Sequence, residues 1–92
     1  MEQFEWHRNK EELNQKKHNV SFDEAKTVFE DPLAIYKPDF IHSIDEERSY
    51  LIGNSNKNRL LVVSFTEREN NIRIISARLA TKKEKRIYEN KS

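Results

Sequence analysis

Residues 59–78, RLLVVSFTERENNIRIISAR, decide the fold of this 92-residue chain, because they have the pattern of two β-strands joined by a polar turn. Leu60 to Phe65 is apolar and partly β-branched, which is typical of a buried central strand, and Ile72 to Ala77 is the expected partner. The turn falls at Glu69-Asn70-Asn71, where asparagine tolerates the positive φ that tight hairpins use. The stretch therefore predicts a β-hairpin at the centre of a sheet.

Alternation along the second strand predicts which side chains share a face. One face is expected to carry Ile72, Ile74, Ser76 and Arg78, and the other Arg73, Ile75 and Ala77. Arg78 then emerges at the end of the strand, just beyond a buried apolar pair, where its guanidinium can reach a ligand. This placement suits a catalytic or phosphate-binding arginine. The alternative is an edge-of-sheet arginine paired with a neighbouring carboxylate.

Three helices are predicted from capping signals and polar periodicity. Arg8 to His18 is a weakly amphipathic helix that Asn19 is suited to end in a left-handed turn. Two stretches match the capping box, in which a Ser or Thr caps a backbone N–H and a Glu three residues later reaches back: Ser21-Phe22-Asp23-Glu24 and Thr81-Lys82-Lys83-Glu84. The first starts a helix that ends at Asp31-Pro32, and the second starts a short helix through Ile87 and Tyr88.

Three further strands are predicted: Glu2 to Trp6, Leu33 to Tyr36, and Arg48 to Ile52. Gly53 is expected to begin the turn that leads from the last of these into the central hairpin. The order of elements predicts a small single α+β domain over residues 1–92. It has an antiparallel sheet of four to five strands, with two to three helices mainly on one face.

Composition predicts a folded cytoplasmic domain with a thin core. Leu, Ile, Val and Phe number 23 of 92, about a quarter, which is above the level typical of disordered chains. The chain has no cysteine, no apolar run long enough to span a membrane and no signal-peptide pattern, so no membrane association is expected.

Charge is divided unequally along the chain. Residues 1–56 hold seven Lys/Arg and twelve Asp/Glu, a net charge of −5, and residues 57–92 hold ten and four, a net charge of +6. This asymmetry suggests a basic surface for a polyanion such as nucleic acid, although the second half could be merely well solvated.

Most catalytic classes are disfavoured by the residue inventory. One glycine excludes a Gly-rich phosphate loop, the three histidines lack metal-ligand spacing, and there is no nucleophile elbow, so neither a metal nor a cofactor is expected. Cations and scattered acid–base groups remain. They suffice for metal-independent RNA cleavage, in which the ribose 2′-OH attacks the adjacent phosphate.

A series of short motifs runs nearly end to end along the chain: Phe4-Glu5-Trp6, Asn14, Lys17-His18, Val20-Ser21-Phe22, Asp31-Pro32, Glu47-Arg48, Leu61-Val62-Val63, Glu67-Arg68, residues 73–78 (RIISAR), Ala80, Glu84 and Tyr88. In this order and spacing they resemble the BrnT toxins of bacterial type II toxin–antitoxin systems, small ribonucleases with a RelE-like fold. One position departs from the family. His7 follows the tryptophan where the family usually has Asp, which is expected to weaken the cap of the first helix.

The resemblance implies a toxin that cleaves RNA, inhibits translation and is neutralised by a BrnA-type antitoxin protein. Operator DNA would be contacted only through that antitoxin. The alternative is a non-catalytic binding module or corepressor that acts only through its partner protein. The loop residues Phe40, Ile41 and Ile44 are expected either to be covered by the domain or to mark where the antitoxin docks.

The resemblance also implies site residues. Arg78 and Arg48 are the expected phosphate and transition-state ligands, His18 the general acid or base, and Lys17 a source of positive charge. Glu47 is expected to be a base or to orient Arg48, and substrate contacts are expected from Arg59, Lys82, Lys83 and Tyr88.

Each assignment has a structural alternative. His18 could cap the end of its helix, Arg48 could pair with a helix carboxylate, and Tyr88 could belong to the core. Lys82 and Lys83 could be a solvated helix face.

Overall fold

The computed structural model of the protein describes residues 3–43 and 46–90, which form an α+β domain around one five-stranded sheet. The strand order is β1-β5-β4-β3-β2, with the bounds β1 Gln3–Glu5, β2 Ile35–Pro38, β3 Ser49–Asn54, β4 Leu60–Arg68 and β5 Asn71–Leu79. β1 pairs with β5 in parallel, whereas the other neighbours pair antiparallel. The sheet is therefore mixed, and the prediction of a purely antiparallel sheet is wrong at this one strand. Glu2, part of the first predicted strand, lies outside the described residues.

The helices are α1 (Arg8–His18), α2 (Phe22–Thr27), which a 3-10 turn (Val28–Glu30) continues, and α3 (Lys82–Glu89). Both ends of α1 are capped. Nδ1 of His7 accepts a hydrogen bond from the Asn9 N–H at 3.2 Å, so the imidazole caps the start of the helix. Asn19 ends the helix with φ 57°, as predicted.

Only one of the two predicted capping boxes is complete. In α3, Thr81 Oγ1 accepts from the Glu84 N–H at 3.2 Å, and Glu84 Oε1 accepts from the Thr81 N–H at 2.8 Å. In α2, Ser21 Oγ accepts from the Glu24 N–H at 3.0 Å. The Glu24 carboxylate does not return to Ser21, because it binds Arg59 and Ser55 instead.

A β-bulge divides β5 into two halves. Ser64 pairs with Ser76 and Phe65 pairs with Ile74, which leaves Ile75 as an extra residue. The extra residue reverses the alternation, so Ile72, Ile74 and Ala77 all belong to the core while Ser76 and Arg78 face the opposite side. The predicted uniform alternation, with Arg78 on the face of Ile72 and Ile74, is therefore wrong.

The hairpin is longer than predicted and turns more tightly. Arg68 pairs with Asn71, so the loop is the two residues Glu69 and Asn70. The positive φ falls on Glu69 (52°) and not on an asparagine.

Gly53 lies within β3 and is buried, so the prediction that it begins a turn is wrong. A Cβ at this position would stand 2.9 Å from the Cβ of Ala34 and 2.9 Å from Cγ1 of Val28. Glycine is needed here because the chain after α2 approaches the sheet closely.

The core lies between the sheet and the helices α1 and α2. It contains aliphatic and aromatic side chains from both layers: Val20, Phe22, Ala25, Val28, Leu51, Leu61, Val63, Phe65, Ile72, Ile74 and Ala77. Helix α3 instead contacts β3, and its Glu84 pairs with Arg78. Among the described residues no helix is long and apolar enough to span a membrane.

The side chain of Asn14 forms hydrogen bonds with the backbone of β5 at an edge where no described strand pairs with it. Strand β1 pairs with Asn71–Arg73, and within residues 3–43 and 46–90 the second half of β5 has no neighbouring strand on that side. The Asn14 amide donates to the Ala77 carbonyl at 2.8 Å and to the Val20 carbonyl at 2.9 Å, and its oxygen accepts from the Ala77 N–H at 3.1 Å. These bonds fix the C-terminal half of α1 beside the bulge.

Candidate active site

A cleft of about 410 Å³ opens on the face of the sheet opposite the core. Its floor follows from the strand register, because Tyr50, Ser64 and Ser76 are paired across three strands and Val62 is paired with Arg78. The lining combines these side chains with the loop after β2 and the start of α3: Asp39, His42, Arg48, Tyr50, Val62, Ser64, Ile75, Ser76, Arg78 and Glu84.

Arg78 is held in the cleft by Glu84. Its Nη1 donates to Glu84 Oε1 at 2.7 Å and to the Leu79 carbonyl at 3.3 Å, and its Nη2 donates to Glu84 Oε2 at 2.8 Å. The hydrogen bonds from Arg78 lower the pKa of Glu84 to about 2, so the carboxylate is charged at any physiological pH. A guanidinium has five N–H donors. The three bonds therefore leave Nε–H and one Nη2–H to face a ligand.

Arg48 lines the same cleft from the residue that precedes β3. Its backbone is fixed by the loop: its N–H donates to Ser43 Oγ at 2.9 Å, and its carbonyl accepts from the Asp39 N–H at 2.9 Å. Within residues 3–43 and 46–90 its guanidinium has no hydrogen-bonding partner, so the predicted pairing with a helix carboxylate is not observed there.

A histidine and a carboxylate also face the cleft from the loop after β2. Nδ1 of His42 lies 2.9 Å from Oδ2 of Asp39, and the His42 N–H donates to Oδ1 at 3.3 Å. Burial alone would raise the pKa of Asp39, but the hydrogen bonds from His42 outweigh it and the pKa is lowered. Asp39 is therefore an anion that orients the imidazole.

A second, shallower groove of about 240 Å³ lies beside the cleft and contains His18 and Lys17. It is lined by Lys10, Leu13, Asn14, Lys17, His18, Ile75 and Ser76. Ile75 and Ser76 line both depressions, so the bulge forms the wall between them. The structure thus brings Arg48 and Arg78 into one cleft and Lys17 and His18 into the adjoining groove.

The other predicted site residues lie elsewhere. Nε of Arg59 donates to Glu24 at 2.9 Å, and this pair lies by the loop after β3. The hydrogen bond from Arg59 lowers the pKa of the buried Glu24, although desolvation alone would raise it. The Tyr88 hydroxyl donates to Asp31 at 2.7 Å, and burial raises its pKa. Neither residue lines the cleft, and the exposed Glu47, Lys82 and Lys83 do not line it either.

Sequence reasoning missed His42, Asp39, Tyr50 and Glu84 as cleft residues. Tyr50 could have been found from Arg48, because side chains two residues apart on a strand share a face. The His42–Asp39 pair could have been found from its spacing of three residues within a polar loop. Among the described residues, no group of three or more His, Cys, Asp or Glu side chains is arranged to hold a metal ion.

The arrangement offers two guanidinium groups for an anion, with His42 in the same cleft and His18 in the adjoining groove. Guanidinium pairs of this kind are suited to phosphate groups. Residues 6–84 match the family model described as "Ribonuclease toxin, BrnT, of type II toxin-antitoxin system", and the chain belongs to this family.

The fold has a solved counterpart. The chain is similar to the crystal structure of the Brucella abortus ribonuclease toxin, BrnT, with a TM-score of 0.70 and 21% sequence identity over 89% of this chain and 100% of that chain. No curated protein matches the chain. The expected fold class and family are thereby confirmed.

Proposed function

We propose that this protein is an endoribonuclease toxin that cleaves RNA without a metal ion and so inhibits translation. The observation that carries the proposal is the pair of arginines in one cleft, next to the groove that holds His18. Membership of a ribonuclease toxin family supports it.

The cleavage reaction fits these groups. The 2′-oxygen of a ribose forms a bond to the adjacent phosphorus, the bond from phosphorus to the 5′-oxygen breaks, and the products are a 2′,3′-cyclic phosphate and a 5′-hydroxyl. Arg48 and Arg78 stabilise the charge of the phosphorane, Lys17 contributes positive potential, and His18 transfers a proton. The Glu84 carboxylate keeps the Arg78 guanidinium oriented, because it accepts two parallel hydrogen bonds from it.

The partner is proposed to be a BrnA-type antitoxin protein, through which the complex reaches operator DNA. Phe40 and Ile41 are 84% and 81% exposed, so the domain does not cover them. Ile44 lies outside the described residues. These two exposed apolar side chains lie in the chain between Asp39 and His42, which line the cleft, and so suit a protein that both anchors on the loop and blocks the site. The Phe40→Ser/Ile41→Ser double variant is expected to bind antitoxin more weakly and to keep its nuclease activity.

The test is cleavage of a defined single-stranded RNA in EDTA, with and without ribosomes, by the wild type, Arg78→Ala and Arg86→Ala. Arg86 is an exposed arginine of α3 that does not line the cleft and is the matched control. We expect cyclic phosphate ends from the wild type and Arg86→Ala, and a loss of about 10²-fold or more from Arg78→Ala. Cleavage retained by Arg78→Ala would remove the proposed site. No cleavage by the wild type under either condition would favour the non-catalytic binding module.

A further inference from the structure

We propose that His42, oriented by Asp39, is a second acid–base residue of the cleft and works opposite His18. The inference rests on the proposed ribonuclease function and deepens it, since cleavage by the 2′-hydroxyl requires a proton acceptor and a proton donor on opposite sides of the phosphorus.

The geometry fixes which nitrogen of His42 faces the substrate. Nδ1 is 2.9 Å from the Asp39 carboxylate, which makes it the protonated nitrogen and leaves Nε2 as the free proton acceptor. The imidazole is 64% exposed, so a ligand in the cleft can reach it, while the carboxylate is only 20% exposed and stays in place.

The loop that carries His42 is fastened to Arg48. The Ser43 hydroxyl donates to the Asp39 carbonyl at 2.5 Å and accepts from the Arg48 N–H at 2.9 Å. One serine therefore links the two ends of the loop, so the imidazole and the Arg48 backbone keep a set spacing. Preorganisation of this kind is what a catalytic group requires.

Roles follow from the two environments. Besides Asp39, which binds Nδ1, the charged or titratable groups that line the cleft with His42 are Arg48, Tyr50, Arg78 and Glu84. Asp39 stabilises the imidazolium that forms when His42 accepts the 2′-OH proton. His18, the last residue of α1, lines the adjoining groove, so the other role falls to it: it donates a proton to the departing 5′-oxygen. One proton is taken up and one released, and the phosphorus exchanges one P–O bond for another.

The experiment measures kcat/KM against pH for the wild type, His42→Asn, His18→Asn and the control His7→Asn, which keeps a polar cap on α1. A bell-shaped profile is expected for the wild type and for His7→Asn. His42→Asn should lose about 10²-fold in activity and the ascending limb, whereas His18→Asn should lose the descending limb.

A second substrate separates the base from the acid. An RNA with sulfur in place of the bridging 5′-oxygen at the mapped cleavage site has a leaving group that needs no proton. It should restore His18→Asn to within about tenfold of the wild type and leave His42→Asn impaired. Asp39→Asn is a positioning variant, expected to lower kcat with KM unchanged.

The outcomes separate the two proposals. Cleavage by the wild type with full activity and an unchanged pH profile in His42→Asn would overturn the role of His42 alone. Rescue of His42→Asn by the sulfur substrate would exchange the two roles and contradict the assignment made here. Absence of wild-type cleavage would overturn the proposed function and this inference together.

Discussion

At the residue scale, one carboxylate serves two elements. Oε1 of Glu84 accepts both from the Thr81 N–H that starts α3 and from Arg78 of β5, so the helix is tied to the cleft at a single side chain. The sequence predicted the capping box and, separately, offered an Arg78 paired with a carboxylate as one of two alternatives. It could not predict that the carboxylate is the same one, since that depends on where α3 turns back over the sheet.

The Glu84 pair makes a pH-dependent contribution to stability. Its pKa is about 2 in the folded protein against 4.5 for the free group, so the stabilisation is present above about pH 4.5 and is lost as the pH falls toward 2. Glu84→Gln is expected to lower the free energy of unfolding by about 1–2 kcal/mol at pH 7, since Arg78 is partly solvated. Urea unfolding between pH 7 and pH 3 should show the difference shrinking below pH 4.5, with Glu89→Gln as control. A constant difference across this range would contradict the assignment.

Arg59 stabilises the fold through Glu24, which is 3% exposed. Arg59→Met should destabilise the protein by about 2–4 kcal/mol because it leaves a buried charge unpaired, and the added change Glu24→Leu should recover much of this loss. Thermal and urea unfolding measure both variants beside the control Arg86→Met, which changes an exposed arginine of α3. RNA cleavage per folded molecule should be unchanged in Arg59→Met, and a selective loss of activity would restore Arg59 as a substrate contact.

At the element scale, α1 and β5 are joined by the Asn14 amide. Asn14→Leu should cost about 2–4 kcal/mol, because the Ala77 N–H and the carbonyls of Ala77 and Val20 lose their partner in a buried place. Unfolding experiments with the exposed neighbour Gln15→Leu as control test the size of the effect. Faster hydrogen exchange at the Ala77 amide would show that the loss of stability arises at this edge of β5. Unaltered exchange there would contradict the proposed role of Asn14 in binding the backbone of Ala77.

Elements with local causes were predictable. Helix α1 has the predicted bounds, and Asn19 and Thr81 cap as expected, because capping depends on residues within one turn. The bulge at Ile75 and the position of Gly53 in β3 were not predictable, because each depends on a partner distant in sequence. The same reason explains why Arg78 was placed on the wrong face while its place at the end of β5 was right.

At the scale of the whole molecule, the site combines both halves of the chain. Arg78 comes from the basic half, whereas Arg48, His42 and His18 come from the half with a net charge of −5. Charge asymmetry along the sequence therefore does not indicate which surface forms the candidate site, because the sheet brings together residues from both halves.

RNA binding should depend steeply on salt. Contacts from Arg48, Arg78 and Lys17 to about three phosphates predict that the logarithm of the binding constant falls with the logarithm of salt concentration with a slope near −2. Lys17→Gln should make the slope shallower by about 0.7, whereas Lys57→Gln, far from the cleft, should not. Fluorescence anisotropy with a 2′-O-methyl RNA, which cannot be cleaved, measures this. Equal slopes for both variants would place the RNA elsewhere.

The bulge has a consequence for how mutations are tolerated along β5. Before Ile75, the even-numbered positions 72 and 74 face the core, whereas after it the core position is Ala77. A saturation scan of the strand should therefore show a reversal of parity, with polar substitutions rejected at even positions in the first half and at odd positions in the second. Deleting Ile75 should leave Ile74, Ser76 and Arg78 paired with Phe65, Ser64 and Val62 as before, so Arg78 is expected to keep its face while the wall between the cleft and the groove is lost.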